Sequence, residues 1–139
     1  MIKKILAALL LFPTFAYAQI NTDRVMMIAR NALYFEDYVL SIQYFNQVIN
    51  AKPYLYEPYF FRGLAKINLD DYQGAEADCD AAIDRNPFVV GAYQIRGLAR
   101  IKQNKYDGAI EDYKKALHFD PENITPVSYT HLTLPTNSL

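Results

Sequence analysis

Few side chains in this chain have the chemistry of a nucleophile or a metal ligand. Cys79 is the single cysteine, and the two histidines are His118 and His131. A catalytic or metal-bound histidine needs partner groups at set spacings, and no such cluster surrounds His118. Cys79 falls within an apolar helical pattern, which favours a packed thiol over a reactive one. We therefore expect neither residue to do chemistry.

Two pairs of adjacent carboxylates could in principle supply an acid and a base. Asp70-Asp71 lies where one helical pattern ends and another begins, so it is typical of a turn. Glu111-Asp112 lies inside a helical pattern, where neighbours are about 100° apart and point in different directions. The glycines also lack the strand, loop and lysine of a phosphate-binding loop. The sequence predicts no catalytic residue, no metal site, no cofactor and no enzyme activity.

A second kind of charged pattern recurs at a fixed distance. An arginine precedes an aspartate twice at the same spacing along the chain. The pairs are Arg62 with Asp78 and Arg96 with Asp112. At the corresponding places one unit earlier, Ile28 and Tyr44 replace both charges together. We predict that each arginine pairs with its aspartate in a partly buried contact; unrelated surface charges are the alternative.

The distance that separates these two pairs is also a period of the whole chain. Residues 90–123 repeat the pattern of residues 56–89, with Tyr93 and Gly97 matching Tyr59 and Gly63. A proline closes each unit at the same register. These prolines are Pro53, Pro87 and Pro121. A constant period of about 34 residues predicts an array of helical repeats.

Apolar residues recur with helical spacing in six segments between residues 22 and 119. Acidic or amide residues separate the segments, and Glu57-Pro58 suits a helix start because the first-turn N–H needs no helical partner. No segment alternates as a strand would. We therefore predict an all-α superhelix, or solenoid, of three helical hairpins over residues 22–125. The repeats are 22–55, 56–89 and 90–123.

These residues resemble the tetratricopeptide repeat family, whose repeating pattern is W-x2-L-G-x2-Y, then A-x3-F, then P. In the first helix, Tyr59 and Tyr93 match the Trp, and Gly63 and Gly97 match the Gly. In the second helix, the opening Tyr is matched by Tyr38, Tyr72 and Tyr106, and the first small residue by Ala75 and Ala109. The aromatic position that follows is held by Phe45, Cys79 and Tyr113, and the second small residue by Val48, Ala82 and Ala116. The first unit matches least well, with Val25, Ala29 and Ser41 at the Trp, Gly and Ala positions. An atypical terminal repeat is expected in a solenoid.

The resemblance implies that the first helix of each hairpin lines a concave binding groove. The implied groove residues are Met26, Arg30, Tyr34, Phe60, Phe61, Leu64, Asn68, Gln94, Leu98 and Lys102. Packing between repeats is the alternative role for several of them. The family's clamp for a peptide carboxylate is not reproduced. Its positions are held by Met26, Arg30, Phe61, Gly91 and Ile95.

Both ends of the chain differ from the repeats. Residues 1–18 begin with Lys3 and Lys4, continue with an apolar run and end in Ala16-Tyr17-Ala18, which is typical of a cleaved secretory signal. The apolar run is short for a membrane span, so we expect no stable span after cleavage. Residues 126–139 lose the helical period, and Val127 to Thr136 resemble translated adapter sequence from DNA library preparation. We take this tail as an artefact without structure.

The formal net charge of −1 is unlike the basic footprint of a nucleic-acid binder. We expect a scaffold that binds a protein or peptide in the periplasm or cell envelope of a bacterium. The alternative is the targeting module of a longer enzyme whose catalytic domain is not in this sequence. An uncovered apolar face on the last hairpin would in addition favour self-association.

Overall fold

The computed structural model describes residues 21–122, which form six α-helices and, within that range, no strand. The helices are α1 (Thr22–Tyr34), α2 (Tyr38–Ala51), α3 (Glu57–Asn68), α4 (Tyr72–Arg85), α5 (Val90–Lys102) and α6 (Tyr106–Phe119). They pair as three hairpins, α1–α2, α3–α4 and α5–α6. The predicted all-α fold of helical hairpins is therefore confirmed. The predicted signal (1–18) and tail (126–139) lie outside the described residues.

The turns inside the hairpins repeat one backbone conformation. Glu36, Asp70 and Asn104 occupy the same register position in successive units, and all three have φ near +60° (63°, 60° and 60°). The next helix then begins with a cap in two cases: the Asp37 and Asp71 carboxylates accept hydrogen bonds from the N–H groups of Leu40 and Gly74. These caps satisfy first-turn N–H groups that have no helical partner. The turn conformation thus recurs with the same 34-residue period as the sequence pattern.

Small residues let the two helices of a hairpin approach closely. A Cβ atom added at Gly63 would lie 3.3 Å from Asp78 Cβ, and one at Gly97 would lie 3.1 Å from the Tyr113 ring. Ala75 in α4 is fully buried, and so is Cys79 one turn later. The glycine and alanine positions of the repeat are therefore set by the space between helices.

Each hairpin packs against the next through α2 with α3 and α4 with α5. The first helices also touch one another, α1 against α3 and α3 against α5, and so form one layer, which we call the inner layer. The main core lies where the second hairpin meets α5. It consists of Tyr59, Ile67, Ala75, Cys79, Ala82, Ala92, Ile95 and Ala99. No helix among residues 21–122 has the length and apolar character to cross a bilayer.

Candidate binding site

A cavity of about 460 Å³ opens between α1 and α3 on the inner layer. Six of the ten residues that the sequence placed in a groove line it. They are Met26, Arg30, Tyr34, Phe61, Leu64 and Asn68. On α1 the first three are spaced four residues apart, so they lie on one helix face. The volume falls in the range of ligand pockets in proteins. We call this space the α1–α3 cavity.

The floor of the α1–α3 cavity is aromatic. Phe61 stacks on the fully buried Phe45 with ring centroids 6.0 Å apart, which holds the Phe61 ring in place. The guanidinium carbon of Arg30 lies 4.9 Å from the centroid of the same ring. Arg30 is exposed and is not within ion-pair distance of any carboxylate among residues 21–122. The cavity therefore combines an apolar floor with an accessible positive charge.

Residues that the sequence reasoning did not assign also line the cavity. They are Asp23, Met27, Asn31, Leu33 and Tyr38. Asp23 lies three residues before Met26, so helical spacing alone could have placed it on the same face. Tyr38 had been assigned only as the opening residue of α2. Because its contribution depends on where the hairpin turn directs the second helix, the repeat pattern gave no signal for it.

The other four predicted groove residues do not line the α1–α3 cavity. Phe60 and Leu98 pack against the main core. Gln94 is only 5% exposed, whereas Lys102 at the end of α5 is exposed. Leu64 contacts the main core as well as the cavity. The structure therefore gathers the predicted residues of the first two hairpins, except Phe60, into one site and leaves those of α5 apart.

A smaller recess of about 270 Å³ adjoins the α1–α3 cavity. The two spaces share Asp23, Met26, Arg30 and Phe61. The remaining walls of the recess are Thr22, Val48, Leu55 and Glu57. One carboxylate oxygen of Glu57, Oε2, is buried and has no hydrogen-bond partner.

Each of the two arginine–aspartate pairs joins the two helices of one hairpin, α3 to α4 in the second hairpin and α5 to α6 in the third. Arg62 Nη2 donates to Asp78 Oδ1 at 2.6 Å and Nε donates to Oδ2 at 2.8 Å, so the contact is bidentate. Arg96 Nη2 lies 2.6 Å from Asp112 Oδ1. The aspartate side chains are 5% and 2% exposed. Each arginine therefore balances an acid that is almost entirely removed from water.

The same arginines also reach back to the preceding hairpin. Arg62 Nη1 donates to Asn46 Oδ1, and Arg96 Nη1 donates to Asp80 Oδ1, both at 2.7 Å. Burial alone would lower the pKa of Arg96, but its bonds to Asp112 and Asp80 outweigh burial and raise it. Each arginine thus joins two hairpins, which is a structural role.

Glu76 forms a second polar link between hairpins. Its carboxylate lies 2.9 Å from Arg100 Nε and 2.8 Å from Lys105 Nζ, and it accepts a 2.8 Å hydrogen bond from Gln103 Nε2. Burial acts to raise the pKa of Glu76, and the bonds from Lys105, Arg100 and Gln103 together lower it to about 2. The carboxylate is therefore ionised at neutral pH and holds α4 to the third hairpin.

The groups considered for catalysis are not assembled. Cys79 is fully buried, and burial raises the pKa of its thiol. His118 is exposed near the end of α6. Within residues 21–122, no three His, Cys, Asp or Glu side chains are grouped in a way that could hold a metal ion.

Stacked helical hairpins with an apolar cavity on the layer of their first helices define a helical repeat protein of the kind that binds other molecules with a surface. Comparison with known proteins specifies the repeat. Residues 56–88 and residues 91–123 each match a family model described as the tetratricopeptide repeat. The chain therefore contains tetratricopeptide repeats. The first hairpin is the one that departs from the pattern at Val25, Ala29 and Ser41.

Solved structures agree with this assignment. The first TPR of Spaghetti (RPAP3), bound to the HSP90 peptide SRMEEVD, is 26% identical with a TM-score of 0.72, covering 74% of this chain and 82% of that one. The Arabidopsis OM64 TPR domain is 26% identical with a TM-score of 0.73, covering 76% and 87%. The TPR2B domain of yeast Sti1 in its pHsp70 complex is 23% identical with a TM-score of 0.69, covering 80% and 88%, and shows likeness of fold. No curated protein matched.

Proposed function

We propose that the α1–α3 cavity binds an extended segment of a partner protein, with one apolar side chain of the segment inserted as an anchor. The observation that carries this proposal is the convergence of six predicted groove residues on a single cavity. The peptide bound to the first TPR of Spaghetti supports the same use of a related array. In this proposal the chain is an interaction scaffold.

The lining of the cavity suits such an anchor. Met26 and Leu64 present flexible and branched apolar surface, and Phe61 presents a ring that Phe45 holds in place. An aromatic floor gives large contact area at little cost in side-chain entropy. The amide of Asn31 at the wall, and the amide oxygen of Asn68, whose Nδ2 donates to the Leu64 carbonyl at 2.7 Å, can bond to the backbone of an extended segment. Apolar contact would supply affinity and the polar groups would fix orientation.

The test is selection from a random peptide display library on residues 19–125, followed by titration of the enriched peptides against variants. Met26→Asp places a charge in the cavity and should weaken binding by about tenfold or more. Gln47→Asp adds the same charge at an exposed position of α2 and should leave affinity unchanged. Circular dichroism and thermal melting establish that both variants fold. Equal affinity of the wild type and Met26→Asp for every selected peptide would overturn the proposal.

We infer also that the scaffold works outside the cytoplasm, in the periplasm or cell envelope. Support comes from residues 1–18, whose basic start, apolar run and Ala16-Tyr17-Ala18 ending have the form of a secretory signal. Expression of the full chain in a bacterium, fractionation and mass spectrometry should yield a periplasmic product beginning at Gln19. An uncleaved product that stays in the cytoplasm would contradict this.

A further inference from the structure

Two buried side-chain acceptors have no hydrogen-bond partner among residues 21–122: Glu57 Oε2 and Gln94 Oε1. Buried polar atoms are nearly always bonded, and leaving one unpaired costs free energy. Both residues belong to first helices, α3 and α5, which form the inner layer. Glu57 lies on α3, which lines the α1–α3 cavity, whereas Gln94 lies on α5, which does not. A donor from a bound molecule would satisfy Glu57 Oε2.

Of the two, Glu57 has space beside it. It lines the 270 Å³ recess, whose other walls include the apolar side chains of Val48, Leu55 and Met26. The recess and the α1–α3 cavity share Asp23, Met26, Arg30 and Phe61. A segment bound in the cavity would therefore lie next to the recess that Glu57 lines.

Arg30 lines the recess too, but it does not satisfy Glu57. Its guanidinium lies over the Phe61 ring, and no ion pair or hydrogen bond joins it to the Glu57 carboxylate. The nearby Asp23 carboxylate is 94% exposed and lies 3.8 Å from Lys52 Nζ, a loose surface contact. Glu57 is therefore the inner acidic group of the recess, and Asp23 is a second one on its rim.

We propose that the segment bound in the α1–α3 cavity carries a lysine or arginine next to its apolar anchor, and that the cationic head of this residue enters the recess and donates to Glu57 Oε2. The proposal rests on the proposed function. The aliphatic stem of such a residue would lie against Val48 and Leu55, as long basic side chains commonly do on apolar surface. A bond between a cation and a carboxylate is about twice as strong as a neutral one.

The test uses peptide pairs built on sequences selected from the display library. In each pair a lysine beside the anchor is replaced by norleucine, which keeps the stem and removes the ammonium group. The wild type should prefer the lysine peptide by about tenfold, the ratio expected when a charge-assisted bond is lost. Glu57→Gln should bring this ratio close to one while the norleucine peptide still binds.

Glu111→Gln is the matched control because it removes the same charge from an exposed site on α6. It should keep the wild-type preference for lysine. An unchanged preference in Glu57→Gln would overturn the proposed recess site, even if Met26→Asp still abolishes binding. Selection of acidic residues beside the anchor would overturn it as well, because Arg30 would then be the receptor. Failure to obtain any peptide that depends on Met26 would overturn the proposed function itself, and this inference with it.

Discussion

Asp112 holds a negative charge where only 2% of its side chain reaches solvent, and two guanidinium groups surround it. Arg96 and Arg100 lie 2.6 and 2.8 Å from its two oxygens. The sequence pattern gave the partner Arg96 from the constant spacing of arginine and aspartate. It did not give Arg100, although the equivalent basic residue of the second hairpin, Lys66, lies 2.9 Å from Asp78 at the same spacing. Loss of Asp112 would therefore remove a buried partner from two arginines at once.

Asp112→Leu should therefore lower the free energy of unfolding by about 3–5 kcal/mol, since both arginines lose a buried partner. Arg96→Met should cost less, because Arg100 still neutralises the acid. The double variant should lose less than the sum of the two single changes. Urea unfolding followed by circular dichroism measures all three. If the two single variants lose little stability and the double variant loses the sum of the two, the Arg96–Asp112 contact contributes no coupling free energy.

Glu36 is the one turn residue in the series of three whose type suits a positive φ poorly. It has φ 63°, and non-glycine residues other than Asn and Asp pay to adopt this conformation. Glu36→Gly should raise the free energy of unfolding by about 0.5–1 kcal/mol. Asn104→Gly is the control, because Asn tolerates this φ and its side chain accepts a 2.8 Å bond from the Tyr106 hydroxyl. That change should bring no gain, and thermal melting compares the two.

At the scale of the helices, Glu76 links α4 to the third hairpin through three donors. Its folded-state pKa of about 2 is below the ordinary 4.5, so its ionised form is favoured by folding. That contribution is present above about pH 4.5 and is lost as pH falls towards about 2. The stability difference between wild type and Glu76→Gln should be constant from about pH 7 to 5 and should shrink below that. A pH-independent difference, measured by urea unfolding, would contradict the predicted linkage.

The helices were predictable because their signals are local. Pro58 marks the start of α3, and the acidic or amide residues between segments fall where the hairpin turns occur. The cavity was predictable only in part. Met26, Phe60 and Gln94 share one register position, yet only Met26 lines the α1–α3 cavity. Register gives the direction of a side chain, but burial depends on which neighbouring hairpin covers it. Glu57 was missed for the same reason.

At the scale of the molecule, the last hairpin leaves apolar side chains in solvent. Ile67 in α3 is 5% exposed within the main core, whereas its counterpart Ile101 in α5 is 39% exposed. Leu117 and Ile110 on α6 are 47% and 52% exposed. In the second hairpin the equivalent of Leu117, Ile83, packs against a core that includes α5. The last hairpin therefore presents an apolar face of the kind that promotes association.

We predict that residues 19–125 self-associate through this face. Ile101→Glu combined with Leu117→Glu should shift the protein to a monomer at concentrations where the wild type forms dimers or larger species. Tyr54→Glu alters a residue that is 69% exposed in the loop before α3 and should change nothing. Sedimentation velocity over a range of concentrations decides between these results. A wild type that is monomeric throughout would contradict the prediction.

The contacts that each arginine makes with the preceding hairpin differ between the two boundaries where hairpins meet. Arg62 finds a neutral amide in Asn46, whereas Arg96 finds the carboxylate of Asp80, and Glu76 adds its contacts to Arg100 and Lys105 at the same boundary. Dissolved electrolyte acts on the second boundary alone, and only weakly, because Arg96, Arg100 and Glu76 are partly buried. That boundary also contains the main core. Added salt should therefore narrow the difference in strength between the two boundaries while leaving the first unchanged.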